Sequence, residues 1–98
     1  MTDIEKAKLK SDEAKIADYY GVINQAFKLF EELDECKEAV RGYINGTDKK
    51  EHAVEEIADV EVMFDQFKYL LCCEERVNEI KREKVDRQLK RMKENADV

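Results

Sequence analysis

The 98-residue chain contains no proline, no tryptophan, three glycines and a single histidine. Without proline, and with so little glycine, few positions interrupt a helix. One histidine excludes a His-rich metal centre and leaves no secure Ser-His-Asp arrangement, so His52 reads as a solvated helix residue. No run of about 18 apolar residues occurs, which excludes a helical membrane span. Met1 to Lys10 alternates charges where a secretory leader would carry an apolar core. The expectation is a cytoplasmic protein with no membrane partner. The cysteines Cys36, Cys72 and Cys73 are odd in number and form no Cys-x-x-Cys pair, so they read as reduced packing residues.

Charge is abundant and unevenly placed. Acidic residues number 24 and basic residues 18, a net charge of −6. Residues 1–75 carry net −9 and residues 76–98 net +3. An acidic body repels the nucleic-acid backbone, whose binding is driven by counterion release to lysine and arginine, so duplex DNA is excluded as a partner. The basic end suits a smaller anion, such as a nucleotide's phosphates, or the acidic body of a neighbouring subunit. A lone domain this short leaves much of its surface exposed, which favours association into a homodimer or homotetramer.

The composition reads as helical almost throughout, with no strand signal: one all-α domain over 1–98, an antiparallel bundle of four to five helices. Thr2 with Glu5 has capping-box spacing, and Ser11 or Asp12 offers a second start, so the N-terminal third should hold one or two short helices, with 1–11 loosely ordered. Gly21 marks a kink or boundary. A heptad seam from Val22 through Ala26, Leu29, Leu33, Cys36, Val40 and Tyr43 predicts a helix of about six turns with that stripe buried. Gly42, Asn45 and Gly46 end it, and Asp48 with Glu51 starts the next. The following seam is Ala53, Ile57, Val60, Phe64, Phe67 and Leu71, yielding near Cys72 to Glu75. A last helix, about Arg76 to Asn95, is thinner in apolar residues (Val77, Ile80, Val85, Leu89, Met92) and frays over 93–98.

A second stripe on each central helix mixes carboxylates with small or apolar residues. It runs through Gln25, Lys28, Glu32, Glu35, Ala39 and Gly42, and through His52, Glu56, Asp59, Met63, Gln66 and Leu70. Carboxylates sharing a face with Met63 and Leu70 are shielded and need a compensating cation. Glu32 with Glu35, and Glu56 with Asp59, are spaced i, i+3 and so lie on one side of their helices. If the hairpin brings the pairs together, four carboxylates converge, and all-oxygen ligation suits magnesium or manganese better than zinc. Ordinary soluble helices carry such pairs too, and acids make up about a quarter of this chain. A ferritin-like di-iron site needs Glu-x-x-His, and neither pair ends in histidine. On the last helix Lys84, Arg87 and Arg91 form a basic line; Lys84 and Arg87, with Lys28, could hold a polyphosphate against a bound metal or could simply form a solvated face, which is the reading for Arg91, Lys90 and Lys93.

The run Gln25-x-x-Lys28-x-x-Glu31-Glu32-x-x-Glu35, followed 21 residues later by Glu56-Ile57-Ala58-Asp59, resembles the all-α nucleoside triphosphate pyrophosphohydrolases of the MazG type. Lys84-Val85-Asp86-Arg87 resembles the basic element of that family's following helix, and Tyr19 to Met92 resembles its short members from phages and prophages. The resemblance implies magnesium-dependent hydrolysis of a nucleoside triphosphate between its α and β phosphates, giving monophosphate and pyrophosphate. It implies metal ligation by Glu32, Glu35, Glu56 and Asp59, catalytic roles for Glu31, Glu35 and Glu56, and phosphate contacts from Lys28, Lys84 and Arg87. Manganese is the expected substitute for magnesium. Sister activities on dUTP or phosphoribosyl-ATP remain open, because Asn24, Tyr19, Tyr20 and Phe27 are only available for reading a base, not marked for it. The alternative from another class is a non-catalytic helical interaction or regulatory module.

Overall fold

Helix propensity, capping and two glycine-tolerant stops produce three helices in the computed structural model, which describes residues 1–96. They are α1 (Asp3–Ile44), α2 (Lys50–Leu70) and α3 (Glu74–Ala96), and no strand occurs among the described residues. The Thr2 hydroxyl accepts from the Glu5 backbone N–H while the Glu5 carboxylate accepts from that of Thr2, so the reciprocal cap starts α1 at once. Residues 3–11, expected to be loose, are thus helical, and no second helix begins at Ser11 or Asp12. Lys8 reaches Asp12 at 2.7 Å, an i, i+4 pair across that point. At Gly21 the backbone leaves helical geometry, with φ 82° and ψ 165°, so α1 is two helical segments joined across a kink, as the glycine led one to expect. Three helices stand where four to five were expected, with the kinked α1 counted as one although Gly21 divides it into two helical segments.

Both helix ends in the body close with a Schellman motif. At the end of α1 the Gly46 N–H donates to Tyr43 and the Thr47 N–H to Gly42, with Gly46 at φ 74°. At the end of α2 the Cys72 N–H donates to Tyr69 and the Cys73 N–H to Lys68. There the left-handed position is occupied by a side-chain-bearing residue, Cys72, at φ 51°. Cys72 is exposed, so it is a turn residue and not a packing one.

The stripe of α1 that meets α2 is not the apolar heptad. Ala17, Gln25, Glu32 and Ala39 are buried, whereas Val22, Leu33, Val40 and Tyr43 are exposed and Ala26, Leu29 and Cys36 half-buried. Small alanines, Ala17 and Ala39 on α1 and Ala53 on α2, are buried in this seam. The Gln25 amide donates to the Gln66 side-chain oxygen at 2.5 Å in the buried seam and fixes their register. On α2, Ala53, Val60 and Met63 are buried, while Ile57, Phe64 and Leu71 stay exposed. One partner helix covers one stripe, so the large apolar residues of α1 are left over: Ile23, Phe27 and Phe30 are 68%, 64% and 56% exposed.

α3 packs on α2 near their shared end and has no buried residue. Val77 and Ile80 are half-buried, and Val85, Leu89 and Met92 further along are exposed. The frame is an antiparallel α1–α2 hairpin with a projecting basic helix. The helix continues through Ala96, and the rest of the segment expected to fray, 97–98, lies outside the described residues.

Candidate metal centre

Midway along the α1–α2 seam, Glu32, Glu35 and Glu56 each offer a carboxylate oxygen, and the three oxygens lie within 4.8 Å of one another. Two oxygens on opposite sides of a single cation stand about 4.2 Å apart for magnesium, from its bond length of about 2.1 Å. The group is thus near the size that one octahedral ion closes. Glu32 is buried, Glu56 half-buried and Glu35 exposed, so the group reaches from the seam to solvent.

Its hydrogen bonding is incomplete. Glu32 Oε1 faces Lys28 Nζ at 3.1 Å, and Glu56 Oε1 faces His52 Nε2 at 3.4 Å. The second oxygen of each, Oε2, is buried with no hydrogen-bond partner. A buried carboxylate oxygen without a donor costs free energy that a cation would recover. Glu35 senses the crowding: the charge of Glu32, then partial burial and the charge of Glu56, raise its pKa above the ordinary value. Lys28 is shifted upward by its hydrogen bond and charge interaction with Glu32.

Asp59, expected as the fourth carboxylate, is exposed and lies outside the three-oxygen group. It shares the helix face by spacing, but its side chain is one methylene shorter than a glutamate's. Glu31 is exposed, with its Oε2 at 3.7 Å from Lys28 Nζ, which therefore sits between Glu31 and Glu32. Lys84 and Arg87 are exposed on α3, and among the described residues neither pairs with an acid or reaches the carboxylate group within this chain.

His52 is a member of the site's rim that composition alone hid. Its Nδ1 meets Asp48 Oδ2 at 2.5 Å, and its other nitrogen faces Glu56. The hydrogen bond to Asp48 is the main reason its pKa is raised, with Glu56 adding to it. The signal was present as successive i, i+4 steps, Asp48 to His52 to Glu56. Asp48 is held in turn by Gly42, whose carbonyl accepts from the Asp48 and Thr47 N–H groups.

Beside Lys28 an open groove of about 440 Å³ is lined by Ile16, Tyr20, Asn24, Gln25, Met63 and Gln66. Of the residues available for reading a base, Tyr20 and Asn24 border this groove, while Tyr19 and Phe27 do not. Comparison with known proteins finds no matching family model, no matching curated protein and no matching solved structure. No helix among the described residues is long and apolar enough to cross a membrane.

Proposed function

We propose that Glu32, Glu35 and Glu56 bind a magnesium ion and that the protein hydrolyses nucleoside triphosphates between the α and β phosphates. The observation that carries this reading is the pair of orphaned oxygens, Glu32 Oε2 and Glu56 Oε2, inside a three-carboxylate group. The resemblance of Glu31-Glu32-x-x-Glu35 and Glu56-x-x-Asp59 to MazG-type enzymes supplies the reaction. When bound, the ion would neutralise charge on the phosphates and lower the pKa of a coordinated water. Glu31 stands at the solvent edge, where a carboxylate can accept a proton from such a water. Lys28, which pairs with both Glu31 and Glu32, would supply the cation that meets a phosphate oxygen. The groove of Tyr20, Asn24 and Met63 adjoining Lys28 offers an apolar wall with amide groups, which suits a nucleobase. Asp59 is the reserve ligand, one helical turn from Glu56.

The leftover apolar row Ile23, Phe27 and Phe30, with the exposed stripe of α3, favours a homo-oligomer. In such an assembly the basic α3 of one copy, net +3 over 76–98, is complementary to the acidic body of another, and Lys84 and Arg87 would reach a site in trans. Phe27→Lys tests this by light scattering: a smaller particle supports it, and an unchanged mass rejects it. The test of the activity is pyrophosphate release from a panel of nucleoside triphosphates, with and without magnesium. Release that needs magnesium and vanishes in Glu56→Gln supports the hydrolase. A protein inert towards the whole panel is instead the non-catalytic helical module.

A further inference from the structure

A separate charged cluster sits at the end of the hairpin away from the 45–49 loop, where α1, α2 and α3 meet. Glu13 on α1 is 4% exposed, and both of its carboxylate oxygens are buried without a hydrogen-bond partner. It lines a cavity of about 130 Å³ with Lys10 of α1, Asp65, Lys68 and Tyr69 of α2, and Glu74 of α3. The cationic and hydroxyl groups facing it are already engaged. Lys10 bridges to Glu74, Lys68 Nζ lies 3.0 Å from Asp65 Oδ1, and the Tyr69 hydroxyl donates to Asp18 at 2.7 Å. Glu13 and Asp65 thus face each other with one lysine committed to Asp65 and none to Glu13. Among the described residues no third carboxylate joins them closely enough to hold a metal ion, so a proton is the neutralising partner that fits.

We infer that Glu13 and Asp65 share one proton and act as a pH-sensitive latch, clamping the α1 segment before Gly21 and the start of α3 against the end of α2. In the closed form the Glu13 carboxyl donates its proton to Asp65. In the open form two carboxylates confront each other across the seam, and their repulsion loosens the contacts around Ala17 and Lys10. Burial first, then the charge of Asp65 and the hydrogen bond that only the protonated Glu13 carboxyl can donate to it, push the Glu13 pKa up to about 7, while Lys68 and Lys10 pull the other way. A carboxyl with a raised folded-state pKa stabilises the fold least above that value. The stability falls as pH rises from the ordinary carboxyl range through about 7. None of these residues belongs to the Glu32–Glu35–Glu56 group, so the latch stands apart from the hydrolase reading.

The experiment is a carbon-13 titration of the Glu13 carboxyl, combined with amide-exchange protection factors for residues 14–18 at about pH 5.5 and about pH 8.5. In the wild-type chain the carboxyl should titrate near 7, and protection should drop roughly tenfold between the two conditions. Glu13→Gln, which keeps shape without charge, should hold protection constant. Asp65→Asn should move the Glu13 midpoint downward. A midpoint in the ordinary carboxyl range, or equal losses of protection in wild type and Glu13→Gln, overturns the latch.

Discussion

Glu32 on α1 and Glu56 on α2 each bury one carboxylate oxygen that has no donor, and both belong to one group with Glu35. Without a cation this arrangement stores repulsion; with one it becomes a ligand set. The two states predict opposite signs for the same substitution. In chelator-treated protein, Glu32→Gln should raise the melting temperature by removing a charge from the crowd. With magnesium at a hundredfold excess over its dissociation constant, the wild type should gain about 2.7 kcal/mol. For a domain of this size that is a shift of roughly 10 °C or more, and Glu32→Gln should lose most of it. Thermal unfolding monitored by circular dichroism reads both effects, and a magnesium-indifferent wild type argues against the ligand set.

Gly42 connects the hairpin loop to that site. A Cβ there would come within 2.8 Å of the Asp48 Cβ, and Asp48 orients His52, which faces Glu56. Alanine's better helix propensity is worth about 1 kcal/mol. Displacing the loop costs about 1 to 3 kcal/mol. Gly42→Ala should therefore destabilise in urea denaturation and weaken metal binding, whereas a more stable variant would show that the loop yields freely.

Cys72 occupies the left-handed position that glycine fills in the matching motif at Gly46. A non-glycine residue there costs about 1 to 2 kcal/mol. Cys72→Gly should recover about 1 kcal/mol after the added freedom of the unfolded chain is subtracted. A rise of roughly 4–8 °C in melting temperature checks it; a fall would mean the Cys72 side chain contributes contacts that matter more.

The hairpin, its punctuation and the acidic positions were legible in the sequence because they rest on local chemistry: Thr2 with Glu5, Gly21, Gly46, and the i, i+3 glutamates. The buried face of α1 was not. Two adjacent stripes share the same period, and periodicity does not say which one a partner will cover. Ala17 and Ala39 of the mixed stripe, Ala53 of α2 and the Gln25–Gln66 amide bond are buried together, so the mixed stripe and not the apolar one is the face that α2 covers. Glu13 was invisible for a related reason, since its environment comes from Asp65 and Glu74, far along the chain. Asp59 shows the limit of spacing arguments: a shared face does not ensure that a shorter side chain reaches the same point.

His52 gives a pH signature. Its folded-state pKa lies above the usual histidine value, chiefly through its hydrogen bond with Asp48, whose own pKa is lowered by the same contact. The stabilisation from His52 is complete below about pH 6.5, its unfolded value. It is lost as pH rises through the higher folded value. The Asp48 contribution runs the other way, disappearing as acid titrates its depressed carboxyl. Proton NMR of the imidazole should place the His52 midpoint above the ordinary value, and Asp48→Asn should bring it down. An unchanged midpoint in that variant would remove Asp48 as the cause.

One divalent cation is proposed to bind where α1 and α2 bring their glutamates together. Manganese, the expected stand-in for magnesium, makes this directly observable by electron paramagnetic resonance, because the free ion's signal falls when it is bound. Titration of the wild-type chain should remove free manganese with saturation, added magnesium should restore it, and Glu56→Gln, folded by circular dichroism, should remove far less. Equal manganese binding by wild type and Glu56→Gln would show that these glutamates do not hold the ion.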